Sequence, residues 1–219
     1  MRLLGAIFDM DGVLLDSNYI WHDLGARYLR SYGLEPEDGL RDLLAPMTME
    51  DTAIYFRDHY HVPRTAEEIA WEMTDSIREE YLHHAPAKAG VDKFLSLLKM
   101  NGVTMYVATA TDRPLAEAAL TRTGLIRYFK DLMTCAEAGA SKTSPKIYEK
   151  CLTRLRCDKR HCVVFEDSLH AIRTASGAGF RVAAVYDEDS ADVQEEIRSL
   201  SEYWIQSYED WFRQGGTLE

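Results

Sequence analysis

Leu3-Leu4-Gly5-Ala6-Ile7-Phe8-Asp9-Met10-Asp11-Gly12 is the stretch on which the reading of this chain turns. From Leu3 to Phe8 it is apolar without interruption, too short for a membrane span, and it stops at an acidic turn. A strand with one face in water would alternate apolar with polar residues, so an unbroken run of this length reads as a strand buried on both faces. It delivers Asp9 and Asp11, with Asp16 shortly after. On an extended backbone, side chains two residues apart point the same way, so the pair is expected to share one metal ion or to divide nucleophilic and acid roles. Gly12 then permits a sharp turn. By itself D-x-D-G also fits calcium loops and ordinary turns.

Four later runs have the same character: Val103 to Thr109, the shorter Asp131 to Thr134, Cys162 to Phe165, and Arg181 to Tyr186. Between them lie stretches with helical signals, Val91 to Met100, Pro114 to Arg122, Pro145 to Leu155 and Ser168 to Ala178. Strand and helix in alternation predict right-handed crossovers and an α/β fold with a doubly wound parallel sheet, in which ligands bind beyond the carboxyl ends of the strands. The segment 18–84 breaks this rhythm. It has no buried strand run, and it spaces apolar residues helically, as in Leu24, Tyr28 and Leu29, Ile54, Tyr55 and Phe56, then Ile69, Met73 and Ile77. It is expected to be an inserted all-α module, with residues 1–17 and 85–219 forming the core. The tail from Tyr203 to Phe212 reads as a last short strand and helix.

A length of 219 residues suits one sizeable core plus such an insertion. The formal charge of −11 argues against nucleic acid or an anionic membrane as the main partner, because both repel an acidic protein. The four cysteines, Cys135, Cys151, Cys157 and Cys162, form no C-x-x-C pair, so neither a zinc knuckle nor a disulfide framework is expected. With a first run too short and wrongly flanked for a signal peptide, the expected compartment is the cytoplasm and the expected state a monomer or weak dimer.

The other strand ends offer candidates for chemistry. Thr109 closes the second run, where its hydroxyl and the N–H of Ala110 could hold phosphate oxygens, although a Thr there more often simply meets a turn. Lys142 precedes a helix in Ser141-Lys142-Thr143-Ser144-Pro145, where a lone lysine would ordinarily be a solvated surface residue. Glu166 and Asp167 follow the fourth run directly; they suit a hard cation, or Asp167 and Ser168 cap the next helix. His59 with His61 and His83 with His84 lack a third ligand at useful spacing and read as surface or packing residues.

The order and placement of these residues resemble the haloacid dehalogenase superfamily: Asp9-Met10-Asp11-Gly12, Thr109, Lys142 and Glu166-Asp167 match its four motifs across the catalytic core. The inserted module lies where the branch resembling β-phosphoglucomutase and phosphoglycolate phosphatase carries a helical cap, and Lys88-Ala89-Gly90-Val91 looks like that branch's return to the core. Lys142 departs from the pattern by preceding Thr-Ser-Pro rather than Pro-x-Pro. The resemblance implies a Mg²⁺-dependent phosphatase of a small phosphorylated metabolite. Asp9 would be the nucleophile, forming an aspartyl-phosphate, and Asp11 the acid and base, shielded by the closed cap. Asp9, Met10, Asp11, Thr109, Ala110 and Lys142 would contact the phosphate, and Asp9, the Asp11 carbonyl, Asp167 and Glu166 would hold or support the metal. Trp21, His22, Met47, Thr48, Met49 and Arg57 are the cap candidates for reading the organic part of the substrate. A phosphosugar mutase is the first alternative. Against it, Trp21 stands where the β-phosphoglucomutases carry His, and Met49 where they carry Arg. An idle binding module would not need the full set of catalytic side chains, and a receiver domain places its acidic pair before the acceptor strand.

Overall fold

Period-two alternation along apolar strands explains how the sheet of this chain buries both faces. The computed structural model describes residues 2–216. In it β1 (Gly5–Phe8), β2 (Thr104–Thr109), β3 (Phe129–Thr134), β4 (Cys162–Glu166), β5 (Arg181–Val185) and β6 (Tyr203–Ile205) form one parallel sheet, ordered β3-β2-β1-β4-β5-β6. Phe8, Val107, Phe165 and Val185 point to one side and pack with Phe94, Leu95, Ala116 and Tyr208 of the helices Val91–Met100, Arg113–Arg122 and Tyr208–Arg213. Their neighbours Ile7, Ala108, Val164 and Ala184 point to the other and pack with Tyr148, Cys151, Ile172 and Ile197 of Lys146–Leu155, Leu169–Gly177 and Gln194–Leu200. This is the doubly wound arrangement expected of unbroken apolar runs.

The register fixes where the chemistry sits. Phe8 pairs with Val107 on one side and Phe165 on the other, its ring stacked on that of Phe165 with centroids 4.1 Å apart. Asp9 and Glu166 therefore follow the paired phenylalanines side by side, level with Ala108, and Thr109 comes one residue further along β2. The Asp9 N–H still donates to the Phe165 carbonyl at 2.9 Å, so the nucleophile candidate remains anchored to the sheet.

Residues 18–84 are helical, with no strand among them, as the spacing predicts. The helices Met49–His59 and Ala66–Ser76 begin at Thr48 and Thr65, and each threonine closes a capping box with the acid three residues on, Asp51 and Glu68. Tyr28, Leu29, Phe56, Ile69 and Met73 fill their shared interior, while Ile54 faces water. Where the chain leaves and re-enters the core, Leu15 and Ala87 form an antiparallel bridge. Asp16 N–H donates to the Pro86 carbonyl at 2.9 Å and Lys88 N–H to that of Leu14 at 3.0 Å. A π-helical turn, Glu80–His84, precedes the return and carries Tyr81 into the interior. One boundary differs notably from the sequence expectation. β3 begins at Phe129 rather than Asp131, because Lys130 and Asp131 lie on an edge strand with one side in solvent and interrupt the apolar run.

Candidate active site

Beyond the carboxyl ends of β1 and β4 the chain buries three acids around one lysine. Lys142 Nζ lies 2.5 Å from Asp9 Oδ1 and 2.7 Å from Glu166 Oε1, with only 6% of the residue exposed. Tyr148 donates to the same Glu166 oxygen at 2.8 Å, yet Glu166 Oε2 is buried with no hydrogen-bond partner among the described residues. Asp167 follows, and Asn18 donates to its Oδ2 at 2.7 Å. Asp9, Glu166 and Asp167 each present a carboxylate oxygen within 4.8 Å of the others.

Three carboxylates ionised together against one ammonium would leave two negative charges in excess, which water cannot solvate at this depth. Burial pushes the Asp9 carboxyl well above the ordinary range; Lys142 works against this, and Glu166, Asp167 and Asp11 reinforce it. The Asp167 carboxyl is pushed up to about 7, by burial first and the charge of Glu166 second. Burial alone would lower Lys142, but Asp9 and Glu166 beside it overcome that and hold it protonated. An unsatisfied carboxylate oxygen, hard oxygen donors and a double negative excess together fit one divalent cation such as Mg²⁺. Gly12, at φ 75°, passes so close that a Cβ there would collide with Asp167 and Asn18.

Asp11 has surroundings of its own. Extended backbone ends at Phe8, and the chain turns so that Leu14 and Leu15 N–H groups both donate to the Met10 carbonyl. The Asp11 carboxylate accepts from three hydroxyls, Ser17 and Tyr81 on Oδ1, both at 2.6 Å, and Thr111 on Oδ2 at 2.7 Å, and its charge still reaches the Asp9 carboxyl. It is not among the clustered carboxylates. Thr109 is fully buried, its Oγ1 accepting the Thr111 N–H at 3.0 Å. The Met10 side chain belongs to the core. Helix capping does not explain the acidic pair, since Ser168 makes no side-chain cap bond and the Asp167 carboxylate is turned to Asn18.

Between cap and core a crevice of about 570 Å³ is lined by Thr48, Met49, Trp71, Thr74 and Arg78 above and by Ala110, Asp112 and Ser141 below. Ala110 and Ser141 directly adjoin Thr109 and Lys142. Of the cap candidates, Thr48 and Met49 line the crevice, whereas Met47 and Arg57 do not. Arg57 binds Asp58 at 2.6 Å, Trp21 donates to Tyr81 at 2.8 Å, and His22 pairs with Asp189 of the core. His59 and His83 lie near Glu37 and Glu79. A larger cavity of about 930 Å³ opens outside β3 among Lys130, Lys150 and Arg154, but it holds none of the clustered acids, so volume alone does not locate the chemistry.

A family model described as haloacid dehalogenase-like hydrolase matches residues 6–185. The chain belongs to the haloacid dehalogenase-like hydrolases. Among curated relatives of this hydrolase, a phosphorylated carbohydrates phosphatase of Thermotoga maritima is 28% identical over 186 residues, covering 79% of this chain and 80% of that one. Hexitol phosphatase B of Escherichia coli is 29% identical over 189 residues, covering 84% of each. The crystal structure of CbbY from Rhodobacter sphaeroides in complex with phosphate shares the fold, with a TM-score of 0.81 at 22% identity and 96% of both chains covered. Sequence reasoning on the hydrolase had not singled out Ser17, Asn18, Tyr81, Thr111 or Tyr148. Ser17 and Asn18, directly after the acidic turn, and Thr111, beside Thr109, carried a signal in their position. Tyr81, in Glu80-Tyr81-Leu82, and Tyr148, in Ile147-Tyr148-Glu149, lie away from every strand end and carried none. His170, held below its ordinary range by burial, also faces this charge cluster.

Replacing Lys142 with Met should destabilise the metal-free hydrolase by about 3–5 kcal/mol, because buried carboxylates lose their partner. Urea unfolding in excess chelator measures this. A loss below about 1 kcal/mol, the scale of an exposed pair, would contradict the buried-charge description.

Proposed function

We propose that this hydrolase removes phosphate from a small sugar or polyol phosphate through an aspartyl-phosphate on Asp9, with Mg²⁺ as cofactor. The observation that carries the reading is the Asp9–Lys142–Glu166–Asp167 cluster with its unsatisfied Glu166 oxygen. Residues 1–17 and 85–219 act as the catalytic core and 18–84 as the cap; residue 1 and residues 217–219 lie outside the described residues. A monomer or weak dimer in the cytoplasm completes the reading.

Asp9 attacks phosphorus while held by Lys142, whose ammonium has three protons; two go to Asp9 and Glu166, and the third remains for a phosphate oxygen. Thr109 Oγ1 accepts from Thr111 and keeps its own proton for a second phosphate oxygen, with the Ala110 N–H beside it. Asp11 protonates the departing alkoxide and then takes a proton from the water that cleaves the acyl phosphate. Asp9 and Asp167 would hold Mg²⁺ together with the Asp11 carbonyl, Glu166 supporting them, and the ion would neutralise charge on the transferring group. The hydroxyls of Thr48, Thr74 and Ser141, together with Asp112, Arg78 and Trp71, line the crevice in which a polyol chain would lie.

Hydrolysis is favoured over mutase chemistry. The two relatives above are named as phosphatases of phosphorylated carbohydrates and hexitols. Trp21, at the position where a mutase carries His, is engaged with Tyr81, and Met49 offers a thioether where a distal phosphate would need a bidentate Arg.

Asp9→Asn should abolish phosphate release from p-nitrophenyl phosphate and sugar phosphates while leaving the melting curve intact, since the amide is nearly isosteric. Turnover at the wild-type level would sink the nucleophile assignment. A second expectation concerns pH. Because the Asp167 carboxyl titrates near 7 when folded and near 3.8 when unfolded, the folded chain keeps a proton that the unfolded one releases. Metal-free stability therefore falls as pH rises through that interval. Mg²⁺ binds the ionised form, so the rise in Tm on adding it should be larger at about pH 8 than at about pH 5. An equal rise at both, or none, would remove the ion from this cluster.

A further inference from the structure

Resting on the phosphatase reading, we propose that Tyr81 is a positioning residue for Asp11, selecting which carboxylate oxygen carries the proton to the leaving group. Tyr81 is fully buried, delivered by the π-helical turn at the end of the cap segment. Its hydroxyl meets three groups: Trp21 Nε1 at 2.8 Å, Asp11 Oδ1 at 2.6 Å and Thr111 Oγ1 at 3.3 Å. An indole N–H can only donate, so Trp21 fills an acceptor position on the tyrosine oxygen, and the single phenolic proton must go elsewhere. Asp11 Oδ1 is the nearer and the charged acceptor, and Thr111 already turns its own proton to Asp11 Oδ2.

The consequence lies in the lone pairs of Asp11. A carboxylate oxygen has two, and Oδ1 receives both Tyr81 and Ser17. Oδ2 receives only Thr111, so one lone pair there stays open. A proton held on Oδ2 passes to the ester oxygen as its bond to phosphorus breaks and the Asp9 oxygen bonds to phosphorus. In the second step Oδ2 takes a proton from water as the water oxygen bonds to phosphorus and Asp9 is released. Without the Tyr81 hydroxyl, Oδ1 regains an open lone pair, and the carboxyl can place its proton away from the ester.

Tyr81→Phe removes the hydroxyl and keeps the ring. General acid catalysis matters when the leaving group is a poor one, which gives a readout that a purely structural role does not move. On phenyl phosphate, whose leaving group needs the proton, kcat/KM, which reports the steps up to the aspartyl-phosphate and not its hydrolysis, should fall about 30-fold, whereas on p-nitrophenyl phosphate, whose leaving group does not, it should fall less than about 3-fold. The Mg²⁺ concentration for half-maximal rate should not change. Trp21→Phe, which frees the Tyr81 proton to turn, should show the same selectivity at smaller size, and it serves if Tyr81→Phe does not fold. Equal losses on both esters, or no loss on either, would overturn the assignment while leaving the phosphatase reading intact. Failure of the wild type to release phosphate from either ester would overturn that reading and the assignment with it.

Discussion

Lys142, with its ammonium between Asp9 and Glu166, is the contact around which the site is organised. A buried ammonium is costly unless paired, and here the pairing exceeds what it needs, since Asp167 adds a third carboxylate. The surplus is tolerable only because the sheet fixes the positions. Phe8, Val107 and Phe165 are in register at the same level, their backbones hydrogen-bonded, so the acids that follow cannot drift apart to relieve repulsion. Ionised together these acids would place a double negative excess at one point; burial raises the Asp9 and Asp167 carboxyls against that state, and a divalent cation is the simplest species that answers it.

Asp9 and Asp11 show how two chemically identical side chains two residues apart meet different surroundings. Asp9 touches a cation and faces other carboxylates, which suits a nucleophile whose charge is to be neutralised by metal and lysine. Asp11 touches three hydroxyls, from Ser17, Tyr81 and Thr111, which suits a group that must exchange a proton in a fixed direction. Only Met10 lies between them in the chain, and at Gly12, just after Asp11, any Cβ would strike Asp167. Cap and core meet at both. Asn18 reaches Asp167 and Tyr81 reaches Asp11, while His22 and Arg41 grip Asp189 on the loop after β5.

Much of this was legible in the residues, because a parallel sheet buried on both faces writes itself as unbroken apolar runs. Each of the four motif positions lay at a strand end or before a helix, and the all-helical insertion followed from spacing alone. What stayed hidden was hidden for physical reasons. The start of β3 was obscured by Lys130 and Asp131 on a solvated edge. The three hydroxyls around Asp11 come from Ser17, Tyr81 and Thr111, which are distant in sequence or follow the turn, so no period-two argument finds them. Tyr81 is silent in sequence because a buried tyrosine looks apolar until the partner of its hydroxyl is known, and Trp21 reads as a substrate contact until its N–H is found on Tyr81.

One divalent cation is proposed to complete the Asp9–Glu166–Asp167 cluster. Crystals of the protein grown with Mn²⁺ and measured at the manganese absorption edge test it directly. The account requires one anomalous peak per chain, at coordination distance, about 2 Å, from carboxylate oxygens of Asp9 and Asp167. A peak confined to other acids such as Asp187 and Asp189, or none with the ion at saturating concentration, would contradict it.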